Sequence, residues 1–238
     1  MTLVEHEIHD HIAQLYLNDG ENRFNPPFLE AFLDALDHIE SQTQATTLVV
    51  TSRHEKIFCN GIDLDWLQHA QAQDPGRVKK FLYQLNRLFK RVITYPLVTI
   101  AAISGHTFAG GAILSCAFDF RFMRSDRGYF CLPEVDLGIP FLPGMNALLR
   151  KVIPDWLLYE MQLTGVRLTA QQCQAAHIVT QACPGDQLQA ETLAFAAQIN
   201  KKRIVVSEMK KRLHASIVHS LDVADVPYIE KEGFTVFQ

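Results

Sequence analysis

Apolar and polar positions divide this chain into two kinds of territory. Between Ile12 and Met123, short apolar runs alternate with longer stretches in which apolar residues recur at three- and four-residue spacing; from Gly144 to about Leu221 only the longer, helical spacing remains. Ile12–Leu17 predicts a strand running into a turn at Asn18-Asp19-Gly20. Pro26-Pro27 opens a helix with Phe28, Leu29, Phe32, Leu33, Leu36 and Ile39 on one face. Thr47–Thr51 is a continuous apolar run, as in a strand covered on both faces. IFCNGIDLDWLQ places Gly61 at a turn leading into a helix. Asp74-Pro75 starts another helix, striped by Phe81, Leu82, Leu85, Leu88, Phe89 and Val92 and stopped at Pro96. Leu97–Ile103 predicts a strand, Gly110–Ala117 a short apolar helix, and Phe118–Met123 a strand again. Strand–helix units followed by helices predict an α/β fold: a core over 1–190 and a helical C-terminal segment over 191–238. No fixed-period repeat and no low-complexity linker interrupts it.

Composition narrows the function classes. A chain of 238 residues with 48% hydrophobic content can bury one large core. A formal charge of −4 with scattered Lys and Arg argues against nucleic acid as partner, because counterion release needs a concentrated basic surface. There is no apolar run of about 18 residues, so no membrane span is expected. The start, MTLVEHEIHDH, lacks the apolar stretch of a secretory signal, and the Val-Phe-Gln ending is no peroxisomal address. Cys59, Cys116, Cys131, Cys173 and Cys183 fit no metal-ligand spacing; their odd number and apolar neighbours suggest reduced thiols and a cytoplasmic protein.

The candidate chemistry lies in GHTFAGGAILSCAFDFRFMRSDRGYFCLPEVDLG, residues 105–138. A strand, a turn and the pair Gly110-Gly111 open a helix there, and a helix N-terminus presents unpaired amides at a positive dipole end. The Gly110 amide is thus an oxyanion donor, or the pair serves only close packing of helix on strand. FCNGIDL is a second strand–turn–helix junction: either an ordinary turn, or the site of a second donor, the Ile62 amide. Glu134 follows Pro133 among apolar residues. A carboxylate so surrounded has a raised pKa and acts as base and then acid; the alternative is a solvated loop glutamate. Asp136 competes for the role, but on an extended segment it points to the opposite face. Asp119 and Arg121 alternate with Phe118, Phe120 and Phe122, which reads as the exposed face of a strand or a local ion pair. His106 has no evident carboxylate partner. G-x-S-x-G, G-x-G-x-x-G, P-loop and H-E-x-x-H patterns are absent, so serine-hydrolase, dinucleotide, ATP and zinc chemistry lack support.

FCNGIDL, GHTFAGGAIL and FCLPEVDLGIP, in this order and spacing, resemble the enoyl-CoA hydratase/isomerase (crotonase) superfamily, and TGVRLTAQQCQAAHIV resembles the segment that follows in that family, with His177 at a usual glycine position. The likeness runs from about Ile12 to His177. It implies a spiral of ββα units and a coenzyme A thioester as substrate, with no further cofactor and no metal. Its oxygen would lie between the amides of Ile62 and Gly110. The resemblance further implies substrate contacts at Asn60, Gly61, Gly111, Ile113 and Phe141, and a trimer or dimer of trimers joined through the C-terminal helices; Arg23 and Lys56 are candidates for the coenzyme A phosphates, or else solvated surface charges. Hydratases of this superfamily carry a second glutamate where this chain has Ile113, and a Gly-Gly-Thr-Gln stretch where it has FLPGMNALL. Isomerases that move a double bond from the 3 to the 2 position, as in fatty-acid β-oxidation, keep only the glutamate matching Glu134. Isomerisation is therefore expected. Another reaction of the superfamily, or a non-catalytic acyl-CoA-binding homologue, is the alternative.

Overall fold

A computed structural model describes residues 2–231; the Val236-Phe237-Gln238 ending lies outside them. The first half runs β1 (Val4–His9), β2 (Ile12–Leu17), α1 (Pro26–Gln42), β3 (Thr47–Ser52), β4 (Ile57–Cys59), α2 (Leu64–Gln73), α3 (Pro75–Ile93), β5 (Val98–Ile103), β6 (His106–Phe108), α4 (Gly110–Ala117) and β7 (Phe120–Arg124). Then follow β8 (Phe130–Cys131), α5 (Glu134–Leu137), α6 (Pro143–Arg150), α7 (Asp155–Thr164), β9 (Arg167–Leu168), α8 (Ala170–Ala175), β10 (Gln181–Cys183), α9 (Leu188–Ala197), α10 (Arg203–Leu213), α11 (Ala215–His219), a π-helical turn at Ser220–Ala224, and α12 (Val226–Glu230).

The strands form a six-stranded sheet, β1-β2-β3-β5-β7-β10, and a four-stranded sheet, β4-β6-β8-β9. Among the described residues only the β1–β2 hairpin and the β8–β9 pair are antiparallel. The chain alternates between the two sheets, so each crossing carries it from structural strand to site-building turn. The α/β expectation holds.

Local chemistry sets the helix starts. Asn25 accepts a bond from the Phe28 N–H and Pro26 supplies a preset φ, so α1 begins where the Pro pair predicts. Asp74 does the same for α3 through the Gly76 N–H. Every residue of the α3 stripe is buried, and each such Leu or Phe contributes about 1.5–3 kcal/mol of transfer free energy. The two-faced reading of the Thr47 run also holds: α1 and α3 belong to the large core on one side, and α9 covers the other with Leu188 and Ala196 against Val49, Ile100 and Phe122.

One strand is absent from the sequence reading and two expectations need correction, three points in all. β1 escapes the pattern because Val4-Glu5-His6-Glu7 is an edge strand whose outer positions carry charge. The C-terminal region is not helical throughout: β9 and β10 close the two sheets, and helix continues past Leu221 to Glu230. The third concerns Asp119 and Arg121, which face neither solvent nor each other's side chains. Arg121 is 7% exposed and donates to the backbone carbonyls of Ile178, Phe118 and Ser115. Asp119 accepts from the Thr99 N–H and hydroxyl and pairs with Lys210 of α10 at 2.8 Å. The alternation misled because β7 lies between β5 and β10 with both faces covered.

Candidate active site

Two strand-to-helix junctions meet at the top of the small sheet. After β4 the chain turns at Asn60-Gly61, with Gly61 at φ +75°. Phe24 bridges this turn: its N–H donates to the Gly61 carbonyl at 2.6 Å, and its carbonyl accepts from the Asp63 N–H at 3.0 Å. Ile62 lies between those bonds, so its own N–H points away from Phe24. The second junction follows β6. Ala109 donates its N–H to the Cys131 carbonyl at 3.0 Å and adopts φ +51°, ψ −126°, which in a residue with a Cβ stores on the order of 1–3 kcal/mol. Gly110 then begins α4, with no side-chain cap above it.

The junctions touch. A Cβ on Gly61 would lie 2.5 Å from the Gly110 nitrogen, and one on Gly111 would collide with the Cys59 carbonyl. Gly111 therefore matches the close-packing reading. The Ile62 and Gly110 amides make no hydrogen bond among the described residues. They are neighbouring donors without acceptors, at the N-terminus of a wholly buried helix.

Glu134 faces them from β8. Pro133 ends the strand and α5 is a single turn, closed by the Ile139 N–H donating to the Glu134 carbonyl and by Gly138 at φ +68°. Glu134 is 6% exposed, and its Oε2 has no partner among the described residues. Burial pushes its pKa up to about 8, against a small lowering by its own backbone N–H. Asp136 lies on the same helical turn, not on an extended segment as the spacing predicts. It is exposed and packs against Gly165, outside the cavity.

Between them lies a narrow cavity of about 50 Å³, lined by Asn60, Ile62, Leu64, Ala109, Gly110, Ile113, Glu134, Leu137, Ile139, Pro140, Phe141 and Met145. Asn60 and Glu134 are its only polar side chains. Asn60, Ile62, Gly110, Ile113, Glu134 and Phe141 are thus brought together as expected. Gly61 and Gly111 stand behind them as backbone spacers. Arg23 and Lys56 do not reach the cavity. Arg23 is paired with Glu21 at 2.6 Å, and Lys56 lies in an open groove of about 610 Å³ with Arg53, His54, Glu55, Glu21 and His106. Asn60 connects the two spaces, since its Nδ2 donates to Glu21 at 3.1 Å while its Oδ1 is buried without a partner. His106 sits among Phe108, Tyr129 and Arg167; burial and the Arg167 charge lower its pKa.

Several contributors escape sequence reasoning. Leu137 and Ile139 enter the cavity only because the turn after Glu134 is helical. Phe24 acts through backbone bonds that no pattern announces. Asp225 is fully buried and holds the N-terminus of α6, the helix that carries Met145. Its Oδ1 accepts from the Gly144 N–H and its Oδ2 from Asn86 Nδ2, both at 2.7 Å, and burial raises its pKa. Among the described residues no three His, Cys, Asp or Glu side chains are grouped to hold a metal, and the five cysteines are free and buried.

The site can therefore polarise a carbonyl with two amides while one neutral-or-ionised carboxyl group handles a proton in dry surroundings. A family profile described as enoyl-CoA hydratase/isomerase matches residues 7–235. The chain is 31% identical over 208 residues to enoyl-CoA delta isomerase 2, peroxisomal, of Arabidopsis thaliana, covering 85% of each chain. It is 30% identical over 208 residues to a putative enoyl-CoA hydratase of Thermus thermophilus, covering 85% of this chain and 80% of that one. In fold it resembles human mitochondrial delta3-delta2-enoyl-CoA isomerase, with a TM-score of 0.87 at 21% identity, covering 97% of this chain and 90% of that one.

Proposed function

The chain belongs to the enoyl-CoA hydratase/isomerase family, and from that premise we propose that it moves the double bond of a 3-enoyl-CoA to give the trans-2-enoyl-CoA. One observation carries the reading: the cavity holds a single carboxyl group, Glu134, and its wall includes Ile113, the position at which the sequence resemblance puts the second glutamate of a hydratase. Addition of water needs one group to deprotonate the water and one to protonate the alpha carbon. Moving one proton between two carbons needs only one.

In the proposed reaction the thioester oxygen accepts from the amides of Ile62 and Gly110. Ionised Glu134 takes a proton from the alpha carbon, and the electron pair delocalises over the dienolate onto that oxygen. Neutral Glu134 then protonates the gamma carbon, leaving the double bond between the alpha and beta carbons. Each amide donor is worth about 3 kcal/mol against a developing oxyanion, and the positioned acid/base about 10²–10⁴-fold. A carboxyl group with a pKa near 8 is a stronger base than a solvated one, and when protonated it still gives its proton up. The apolar walls of Ile113, Leu137, Ile139, Phe141 and Met145 would hold the acyl chain and keep water out.

The same reading takes the groove containing Lys56, with Arg23 near it, as the place of the coenzyme A phosphates. It also takes the chain as a trimer or dimer of trimers in which residues 191–238 make contacts. Val205, Met209 and Leu213 support that assembly, since they are exposed on one face of α10. Among the described residues no helix is long and apolar enough to cross a membrane.

A paired assay tests the function: 3-hexenoyl-CoA watched for the conjugated 2-enoyl product, and trans-2-hexenoyl-CoA watched for hydration. Isomerisation well above hydration is the expected result. Hydration at an equal rate would mean that a second acid/base group operates in the cavity.

A further inference from the structure

α4 has two ends, and only the Gly110 end opens on the cavity. Its eight residues are all buried and rise about 1.5 Å each, so its last carbonyls lie about 12 Å behind the Gly110 amide and need partners inside the protein. Two cations do so. Arg121 donates to the Phe118 carbonyl at 2.8 Å and the Ser115 carbonyl at 3.4 Å, and is itself held by the Ile178 carbonyl. Lys151 Nζ donates to the Phe118 carbonyl at 2.6 Å and the Cys116 carbonyl at 3.0 Å. Lys151 is also the C-cap of α6, whose other end supplies Met145 to the cavity. One side chain thus ties the back of the oxyanion helix to the back of the acyl-wall helix.

We propose that Lys151 is a positioning residue for the oxyanion hole, fixing the axial place of α4 and hence of the Gly110 amide. This rests on the isomerase reading above. The surroundings argue that the charge is kept for a purpose. Arg121, Lys210, His214, Asp119 and Cys116 face it, and the one carboxylate among them, Asp119, is already paired with Lys210. Burial, and then the Arg121 charge, lower the Lys151 pKa to about 8. A methionine would fill the same space without that cost, but would leave the Cys116 carbonyl unbonded.

The experiment uses the full-length protein and a 2,4-dienoyl-CoA, a non-turning-over probe whose absorption shifts to the red when its carbonyl is polarised. Lys151→Met is expected to lower kcat about 10-fold with KM nearly unchanged, because a hole that slips by a fraction of an ångström loses polarising power rather than binding. It should also reduce the red shift, and Lys151→Arg should restore most of both. Because Glu134 titrates in the same range, the red shift is followed from pH 7 to 9.5 in Glu134→Gln protein, where it should fall in part as Lys151 loses its proton: the neutral amine still has an N–H for each of the two carbonyls but no longer sets a charge against them. This needs no variant at Lys151 and answers the question if Lys151→Met does not fold. A red shift of wild-type size in Lys151→Met, or, where that variant does not fold, one that stays constant to pH 9.5 in Glu134→Gln, overturns the inference alone. A wild-type protein that binds the probe with no red shift overturns the oxyanion hole, and the inference with it.

Discussion

Glu134 and Asp225 are both carboxyl groups buried in apolar surroundings, and both have raised pKa values for that reason. They differ in what their oxygens meet. Each Asp225 oxygen has a donor, the Gly144 N–H or Asn86, so the group ties the C-terminal helices to α3 and α6. Glu134 Oε2 has none, and the nearest space is an apolar slot. A buried acid with full partners is structure. A buried acid left without one, facing two unpaired amides, is chemistry held in reserve.

The comparison breaks first at Glu134. Glu134→Gln should lower isomerisation by about 10²–10⁴-fold and leave acyl-CoA affinity within a few-fold, measured by steady-state kinetics and calorimetry. Retained turnover would move the base elsewhere.

The pH dependence carries the same claim. Glu134 has a folded pKa of about 8 against 4.5 in the unfolded chain, so the folded state binds the extra proton between those values. Its contribution to stability is full below 4.5 and is lost as pH rises to about 8, a loss on the order of a few kcal/mol. Glu134→Gln should therefore melt higher than wild type at pH 8.5 while being inactive. Wild-type kcat/KM should rise with pH up to about 8 as the base ionises. A profile already flat above pH 6 would contradict a dry Glu134.

At Asp225 the expected effect is on folding. Asp225→Ala leaves the Gly144 N–H buried without an acceptor and takes from Asn86 Nδ2 one of its two acceptors, the Leu221 carbonyl remaining at 3.1 Å, for a loss of about 1–3 kcal/mol. Chemical denaturation should show it, with kcat falling less than in Glu134→Gln. The reverse pattern would mean that Asp225 takes part in catalysis.

The smallest change sharpens the role of Ile113. Ile113→Glu puts a second carboxyl group in the same cavity, and like charges there should push the rising limb of the kcat/KM profile to higher pH. An unmoved limb would place the new side chain outside the cavity.

Much of this was legible in the chain. Pro26, Asp74 and Pro96 mark helix limits by local chemistry, and α4 runs from Gly110 to Ala117 as its composition predicts. The two glycine junctions and Glu134 also fell in one cavity, because each sits at a strand end where sequence patterns are sharpest. What was not legible depends on distance or on coverage. Asp225 reaches Gly144 across 81 residues, which no local period records. Arg121 and Asp119 looked solvated because alternation assumes one wet face, and a central parallel strand has none. β8 and β9, two residues each, are too short to leave a period at all. Arg23 and Lys56 are candidates by charge, and charge alone does not separate a phosphate contact from a solvated surface residue.

The proposed reaction rests on one carboxyl group moving one proton. The most direct test is a single-turnover measurement of wild-type protein and Glu134→Gln with saturating 3-hexenoyl-CoA, with binding measured on the same samples. The predicted result is rapid conversion to trans-2-hexenoyl-CoA by wild type, and bound but unconverted substrate in Glu134→Gln. Conversion at comparable rates in both would contradict the account.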